Sequence, residues 1–456
     1  MTLSESKKIY CLGIGGIGVS GLARFLKLSG KDVAGADLNS SKIIVGLREL
    51  GIQVDIGANE VIGNPDLVIY SPAVPAEDLA KIKATKISQG EALGQLMLGK
   101  YGIGITGTNG KSTTTALLGL ILQNANLDPS VIVGTMLSTK NETPAFKANA
   151  RLGQGKHFVV ESDEYQRKML ENKPQMIVVT NIAEDHLDYY KDLSEIKAAF
   201  LEYVLSLPAN GILIYNADDH NTTEVCHQAK CHKFTFGIKH YADLQALNLK
   251  TETGRQYFDL HLNDEKIGSF QISVPGEFNV SNALGASLAA IKLGVSPEAI
   301  NQTLSQFAGT WRRFEQVGTL NSKIVISDYA HHPAGVAATI KAAAEFYPNK
   351  KVLVVFQPHH RNRTQKLMGE FVEALAGSEE VIVPEIFDVA GREHGETVSS
   401  AKLVDELTRQ GVKAIFTETL DQAGEIIRQQ ASQFDVILMM GAGDIDSLAR
   451  SLVKLT

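Results

Sequence analysis

Two glycine-rich turns in this sequence carry the residue types that bind phosphate groups. The first, GIGGIG, contains Gly13, Gly15 and Gly18 between an apolar strand and a helix. The second, GTNGKS, runs from Gly107 to Ser112 in the same strand–turn–helix context. Main-chain N–H groups at a helix N-terminus bind phosphate oxygens, and glycines let the main chain approach them closely. The sequence therefore predicts two sites for phosphate-bearing ligands.

The second turn predicts a nucleoside triphosphate and its metal ion. Lys111 can bridge the β- and γ-phosphates, and the hydroxyl of Ser112 can bind Mg²⁺. The turn is a variant of the Walker A pattern, because Ile105 stands where that pattern has its first glycine and the nearest glycine is Gly104. The residues predicted to bind ATP in this turn are Gly107, Thr108, Asn109, Gly110, Lys111, Ser112 and Thr113.

The first turn has the spacing of a dinucleotide-binding fingerprint. Asp37 ends the next strand, where an acid of such a site meets a ribose. The same geometry suits any sugar nucleotide with a pyrophosphate. The motif alone leaves three interpretations open: a nicotinamide dinucleotide, a sugar nucleotide, or a tight turn that binds nothing.

Acidic residues follow two further apolar strands. The segment ESDEY supplies Glu161, Asp163 and Glu164, and the segment TNIAEDHLDYY supplies Asn181, Glu184, Asp185, His186 and Asp188. Mg²⁺ prefers oxygen ligands, usually one or two carboxylates together with phosphates and waters. We therefore expect a two-cation site beside the second turn, with solvated loops as the alternative for some of these acids.

Alternating strands and helices must position these residues. Their order predicts an α/β protein with three domains, each built on a largely parallel sheet. The first and third domains are predicted to be Rossmann-like, and the central one to be a P-loop ATPase domain. The predicted boundaries are 1–100, 101–309 and 310–456.

The composition excludes several classes of protein. The chain has 456 residues and a net charge of −7, without the basic excess of a nucleic-acid-binding protein. No apolar run approaches the roughly 18 residues of a membrane span, and the N-terminus lacks a signal-peptide pattern. Three cysteines indicate a reducing compartment, and we expect a cytoplasmic protein. Cys226, His227, Cys231 and His232 match no zinc-binding spacing and are interpreted as packing residues.

An ordered series of motifs over essentially the whole chain resembles the Mur ligase family of ATP-dependent, amide-forming enzymes. Each motif alone is short, and their common order carries the resemblance. The series is GIGGIGVSGLA, SPAV, GTNGKSTTT, ESDEY, TNIAEDHLDYY, GEFNVSNA, RRFE, SDYAHHP, FQPHHRNRT and GAGDI.

The resemblance implies a ligase of peptidoglycan precursor synthesis that uses ATP and Mg²⁺. Its alanine-adding members join L-alanine to the lactyl carboxylate of UDP-N-acetylmuramic acid through an acyl phosphate. A relative that adds a peptide or another amino acid to the same UDP-sugar is the alternative, because Gln166 and His360 stand where alanine-adding members often have an acid and an arginine. A nicotinamide oxidoreductase would leave GTNGKST without a role, and a non-catalytic P-loop module would not explain the later motifs.

The resemblance also implies roles for individual residues. Lys111 and Ser112 serve the ATP phosphates and the first Mg²⁺, and Glu161 and His186 hold Mg²⁺ ions. The residues implied to bind the UDP-sugar are Gly13, Gly15, Gly16, Gly18, Asp37, Ser71, Pro72 and Ala73.

Further implied residues lie in the second half of the chain. Asn279 and Asn282 contact the adenine end of ATP. Arg313 and Asp328 close over the nucleotide from the third domain. The residues implied to face the amino acid and the acyl group are His331, His332 and Arg363, and either histidine is a candidate base for the amine.

Overall fold

Three β-sheets organise the chain, and the predicted fold class is confirmed. The structure is a computed structural model that describes residues 2–57, 60–137, 146, 148–186, 189–252, 254–388 and 398–453. The chain divides into two compact units, of which one comprises residues 1–249, 258–271 and 278–307 and the other comprises 250–257, 272–277 and 308–456. Within the described ranges, no helix is both long and apolar enough to cross a bilayer.

The first sheet has five strands in the order β3-β2-β1-β4-β5. Its strands pair in parallel. They are β1 (Lys8–Leu12), β2 (Asp32–Asp37), β3 (Gln53–Ile56), β4 (Leu67–Tyr70) and β5 (Lys86–Ser88), and the helices are α1 (Ile17–Leu28), α2 (Lys42–Glu49), α3 (Ala76–Lys81) and α4 (Gln89–Met97). The strand order reverses at β1, and in such sheets ligands bind in the crevice at the carboxyl ends beside the reversal.

The central sheet has ten strands in the order β15-β14-β13-β12-β11-β10-β6-β9-β7-β8. These are β6 (Tyr101–Thr106), β7 (Ser130–Ile132), β8 (Ala150–Arg151), β9 (His157–Glu161), β10 (Met176–Val179), β11 (Ile212–Asn216), β12 (His232–Gly237), β13 (Leu244–Glu252), β14 (Arg255–Leu262) and β15 (Glu265–Ile272). The helices are α5 (Lys111–Asn124), α6 (Leu193–Leu205), α7 (His220–Cys226), α8 (Glu277–Lys292) and α9 (Pro297–Gln306), with a 3₁₀ segment at Tyr165–Glu171. Because β6 lies between β9 and β10, both acidic segments and the second glycine turn leave the sheet at one edge.

The first and central sheets share one hydrophobic core. Apolar residues of α1 form a single cluster with Ile132, Phe158 and Val160 of the central sheet. The rings of Phe25 and Phe158 stack with centroids 5.3 Å apart. Asn149 adds a polar contact, because its buried amide donates to the main-chain oxygen of Ile17 at 2.9 Å and to Ser20 at 3.1 Å. The helix behind the first glycine turn is therefore fixed to the central sheet.

The third sheet belongs to the second unit and has six strands in the order β16-β17-β21-β18-β19-β20. They are β16 (Glu315–Leu320), β17 (Lys323–Asp328), β18 (Val352–Phe356), β19 (Glu380–Pro384), β20 (Lys413–Thr417) and β21 (Val436–Met440). The helices are α10 (Pro333–Phe346), α11 (Arg361–Lys366), α12 (Met368–Leu375), α13 (Ser400–Arg409), α14 (Leu420–Gln430) and α15 (Ile445–Val453), with a 3₁₀ turn at Ala431–Gln433. Only β16 among the described strands of this sheet is antiparallel to its neighbour.

A buried polar contact explains the glycine that departs from the Walker A pattern. Gly104 lies inside β6, and a side chain there would overlap the hydroxyl of Tyr203. That hydroxyl donates to Ser162 at 2.9 Å, and Asn172 donates to the same oxygen at 2.8 Å. Ser162 directly follows Glu161 at the end of β9. Gly104 is therefore a packing residue that lets α6 reach the strand end.

This contact predicts a large cost for Gly104→Ala. The added methyl group must displace Tyr203 or Ser162, and such overpacking of a dense core costs about 1–3 kcal/mol. Tyr203→Phe in the same chain removes the nearest obstacle, so we expect the double variant to be more stable than the sum of the single variants predicts. Urea unfolding followed by circular dichroism measures these differences. Gly99→Ala is the control, because no atom lies within 4 Å of its added methyl group; equal losses at both glycines would refute the packing explanation.

Candidate active site

The first glycine turn follows β1, at the reversal point of the first sheet. Gly16 is the N-cap residue of α1, and Gly13 begins the turn with a φ of 69°. The N–H of Gly15 donates to a carboxylate oxygen of Asp37 at 2.8 Å. The acid at the end of β2 therefore contacts the turn itself, and the two predicted parts of this site are neighbours.

The SPAV turn lies beside the same crevice. Ser71 follows β4, and its N–H donates to the main-chain oxygen of Leu12 at 3.0 Å. Its hydroxyl accepts the N–H of Ala73 at 3.3 Å, which closes the turn around Pro72. Gly18 is the second residue of α1 and lies against Gln89 of α4. The structure thus brings together the predicted residues of the first site, from Gly13 to Gly18, Asp37 and Ser71–Ala73.

The segment after β10 supports the second glycine turn through hydrogen bonds. The N–H of Asn109 donates to the Asn181 side chain at 3.0 Å, and the Asn181 amide donates back to the main-chain oxygen of Asn109 at 2.8 Å. Thr180 donates to that same oxygen at 2.5 Å, and the N–H of Ala183 donates to Thr108 at 2.9 Å. Asn181, one of the residues predicted near the cations, supports the turn through these side-chain bonds.

Gly110 connects the turn to α8. It adopts a φ of 85° as the N-cap residue of α5, a left-handed conformation that favours glycine. A side chain at Gly110 would overlap the amide of Asn282, which itself donates to Asn279 at 3.3 Å. Both asparagines are buried. The two residues predicted to contact the adenine end of ATP thus lie beside the second glycine turn.

Lys111 begins α5 and points back into the turn. Its ammonium group donates to the main-chain oxygens of Gly107 at 2.6 Å and Thr108 at 3.1 Å. It also lies 2.7 Å from a carboxylate oxygen of Glu164, whose side chain is 3 % exposed. Burial acts to lower the pKa of Lys111, but the carboxylates of Glu164, Asp163 and Glu161 outweigh burial and raise the pKa. The lysine is therefore a fixed, charged group.

Ser112 and Glu161 form the oxygen pair that the sequence predicted. The Ser112 hydroxyl donates to one oxygen of Glu161 at 3.0 Å, and the N–H of Gly134 donates to the other at 2.6 Å. Burial raises the pKa of Glu161, against the opposing effects of Lys111 and these two donors. Thr113 is buried in the first turn of α5. Gly134 has no counterpart in the sequence prediction, because nothing in the pattern after β7 indicated a contact with β9.

His186 joins this site through Glu164. Its Nε2 atom lies 3.5 Å from a Glu164 oxygen, and its ring lies 4.6 Å from that of Tyr165 between centroids. One ligand atom from each of Asp163, Glu164 and His186 lies within 4.8 Å of the others. Burial acts to lower the pKa of His186, but the hydrogen bond to Glu164 and the charge of Asp185 raise it. Asp188, also predicted near this site, lies outside the described residues.

In the second unit, Asp328 organises the segment that contains Arg313. Its two oxygens accept the N–H groups of Phe314 at 2.6 Å and Ala330 at 2.7 Å. Burial raises the pKa of Asp328, against the opposing charge of Arg313. The guanidinium of Arg313 lies 5.1 Å from the ring centroid of Tyr329. The structure therefore brings Arg313 and Asp328 together.

His331 is oriented by its own strand end. Its Nδ1 atom lies 2.9 Å from the main-chain oxygen of Tyr329, and its ring lies 6.0 Å from that of His359 between centroids. A donated Nδ1–H places the lone pair of the neutral ring on Nε2. His332 is the N-cap residue of α10, without a side-chain capping bond.

Arg363 lies on α11, two residues after Arg361. Arg361 donates two hydrogen bonds to Asp388 at 2.7 and 2.8 Å and a third to the main-chain oxygen of Val398 at 2.6 Å. These bonds link Arg361 to Asp388, which follows β19, and to Val398, which precedes α13. Arg363 is the arginine that the resemblance assigns to a substrate carboxylate, and that assignment stays a prediction.

Comparisons with known proteins cover nearly the whole chain. The model of the Mur ligase family catalytic domain matches residues 8–101, that of the Mur ligase middle domain matches 105–290, and that of the Mur ligase glutamate ligase domain matches 312–443. A UDP-N-acetylmuramate–L-alanine ligase of Alkaliphilus metalliredigens is 36% identical over 98% of this chain and 97% of that protein. One of Clostridium acetobutylicum is 38% identical over 96% of each chain.

Solved structures extend the comparison. The crystal structure of a UDP-N-acetylmuramate–alanine ligase from Thermotoga maritima is 28% identical, with a TM-score of 0.84 over 98% of both chains. A murein peptide ligase from Psychrobacter arcticus shares the fold, with a TM-score of 0.72 at 24% identity. The family matches together span most of the sequence, and the relatives are similar over nearly their full length. This chain belongs to the Mur ligase family.

Proposed function

We propose that this chain is an ATP-dependent ligase that joins L-alanine to the lactyl carboxylate of UDP-N-acetylmuramic acid in peptidoglycan precursor synthesis. The observation that carries the proposal is that one unit contains both glycine-rich turns predicted to bind phosphate, of which the second has Lys111 beside the buried carboxylate of Glu164. A reaction between a sugar nucleotide and ATP requires two such sites. The names of the near-full-length relatives support the same substrates.

The first half-reaction is phosphoryl transfer. An oxygen of the lactyl carboxylate attacks the γ-phosphorus of ATP, and the bond from that phosphorus to the β,γ-bridging oxygen breaks. The products are an acyl phosphate and ADP. Phosphoryl transfer depends mainly on positioning and charge. The turn from Gly107 to Ser112 holds the phosphates, and Lys111 offsets their negative charge. Asn279 and Asn282 adjoin the turn on the adenine side.

Mg²⁺ is the metal that these residues suit. The hydroxyl of Ser112 and the carboxylate of Glu161 are hard oxygen donors 3.0 Å apart, as this cation prefers. His186 is the less usual donor, and it lies beside the carboxylate of Glu164. When bound, the ion would neutralise charge on the transferring phosphoryl group.

The second half-reaction forms the amide. The amine of L-alanine attacks the acyl carbon, and the tetrahedral intermediate releases phosphate. The amine must lose a proton, and the Nε2 lone pair that follows from the His331 contact suits that task. Arg363 would bind the carboxylate of the amino acid, and closure of the 310–456 domain would protect the acyl phosphate from water.

A phosphate-release assay tests the substrates. ATP, Mg²⁺ and UDP-N-acetylmuramic acid are supplied with each amino acid, or with a murein peptide, in turn. Release that depends on L-alanine supports the proposal, and release that depends on the peptide identifies the related ligase. NAD(H) binding without ATP consumption would favour an oxidoreductase. Since both nucleotide substrates are cytoplasmic metabolites, we propose a cytoplasmic enzyme.

Lys111→Ala is expected to separate the two nucleotide sites. Loss of the ammonium removes charge stabilisation of the transferring phosphoryl group, and we expect amide formation to fall by about 10²-fold or more. Binding of UDP-N-acetylmuramic acid, measured by calorimetry, should stay nearly unchanged because it uses the first turn. Lys197→Ala, which breaks only the surface pair with Glu224, is the control. An equal loss of sugar-nucleotide affinity would disprove the assignment of the two turns.

Glu161→Ala and His186→Ala are expected to raise the Mg²⁺ concentration needed for half-maximal rate. Each removes a proposed ligand beside the transferring charge. The measurement is a Mg²⁺ titration of initial rates at saturating ATP. The matched controls are Glu224→Ala and His220→Ala, since those residues form an exposed pair on α7. An unaltered Mg²⁺ dependence in both site variants would contradict the ligand assignment.

Arg363→Ala is expected to raise the KM for L-alanine by roughly tenfold or more, the effect of a lost charged hydrogen bond. Arg363→Lys should not restore it, because lysine lacks the planar fork that pairs with a carboxylate. Acyl phosphate, trapped with borohydride in the absence of amino acid, should still form. Arg409→Ala, at an exposed arginine of the same unit, is the control. Loss of the trapped intermediate would instead place Arg363 in phosphoryl transfer.

A further inference from the structure

Glu164 occupies a central place in the site, although the proposed reaction leaves it without a role. Its carboxylate is 3 % exposed and lies 2.7 Å from the ammonium of Lys111. The same carboxylate lies 3.5 Å from Nε2 of His186. The hydroxyl of Tyr190 donates to the main-chain oxygen of Glu164 at 2.6 Å and fixes the backbone there. One buried anion thus links the phosphate-binding lysine to the proposed metal-binding histidine.

The hydrogen bonds of Lys111 create competition for its ammonium group. An ammonium has three N–H donors, and here they reach Gly107, Thr108 and Glu164. The first two acceptors are main-chain oxygens of the turn itself, whereas Glu164 is an anion. A phosphate that contacts Lys111 must therefore share the ammonium with the Glu164 carboxylate.

The position of Glu164 also implies repulsion between its carboxylate and the phosphates of a nucleotide. A carboxylate beside an incoming phosphate disfavours its binding, and the effect is strong where water is excluded. A divalent cation between the two anions reverses that effect, because each of them then contacts opposite charge. Glu164 and His186, together with Asp163, already place three ligand atoms within 4.8 Å of one another.

We propose that Glu164 couples nucleotide binding to the divalent cation. Without the cation, the carboxylate competes with the nucleotide phosphates for Lys111 and repels them. With the cation, its charge is neutralised, and Lys111 is available to the phosphates. This inference rests on the proposed function for the identity of the nucleotide, and it makes Glu164 a positioning residue that acts through Lys111.

ATP binding, measured by calorimetry without UDP-sugar or amino acid, tests the coupling. The quantity of interest is the ratio of the Kd in EDTA to the Kd in Mg²⁺. For Glu164→Gln we expect ATP to bind about tenfold more tightly in EDTA, as for loss of one charged interaction, and the ratio to fall by a similar factor. Glu164→Ala is a second variant without the charge, and circular dichroism checks the folding of both.

Two further variants separate charge from packing. Glu164→Asp keeps the charge and shortens the side chain, so the ratio should stay within about threefold of the wild-type value. A packing role would give the opposite order, with the isosteric glutamine variant close to wild type and the aspartate variant impaired. Glu171→Gln is the matched control. Glu164 is the N-cap residue of the 3₁₀ segment and Glu171 is its last residue, and the carboxylate of Glu171 accepts from Ser88 at 2.7 Å.

The outcomes distinguish this inference from the proposed function. A wild-type chain that binds ATP neither in EDTA nor in Mg²⁺ would overturn the proposed nucleotide site and the coupling with it. A wild-type ratio well above one that survives in both Glu164→Gln and Glu164→Ala would overturn the coupling alone. A ratio that falls in these two variants and persists in Glu164→Asp and Glu171→Gln supports it.

Discussion

The buried positive charge of Lys111 is the constraint on which the central site depends. Removing an ammonium from water is unfavourable, and the lysine stays charged because carboxylates from the end of β9 surround it. Burial of those carboxylates is unfavourable in turn, so each needs hydrogen-bond donors. Glu161 accepts from the N–H of Gly134 and from the hydroxyl of Ser112. The site is therefore a network of charges in which the loss of one member leaves another without compensation.

Sheet topology places this network at one edge. The strand β6 lies between β9 and β10. At the same edge of the sheet lie the second glycine turn, the acidic segment after β9, and the segment after β10 with Thr180 and Asn181. The third sheet uses the same principle in its own unit, where Asp328 ends β17 and Gln357 follows β18, the two strands that pair with β21. Parallel strands thus supply converging loops without any special local sequence.

Local sequence patterns predicted the glycine turns and the acids at strand ends. Contacts between residues distant in the sequence could not be predicted from them. The phosphate turns and Glu161 follow apolar strands directly, so their positions were predictable. Glu161, Asp163 and Glu164 share one short segment, and only the packing of Tyr190 and Lys111 shows which acid meets the lysine. Strands of two to four residues, such as β3, β5, β7 and β8, are too short to show a period.

The core shared by the first two sheets also bears on how the chain is made. A ribosome releases the strands of the first sheet long before Phe158 and Val160, which cover one side of α1. The apolar side of α1 at Phe25 is therefore uncovered while the 70 residues from the end of β5 (Ser88) to Phe158 (158 − 88) are being synthesised, at about 5–20 residues per second. For several seconds the nascent chain therefore exposes this apolar helix to solvent. A chaperone that binds nascent apolar segments would meet this protein first at that helix.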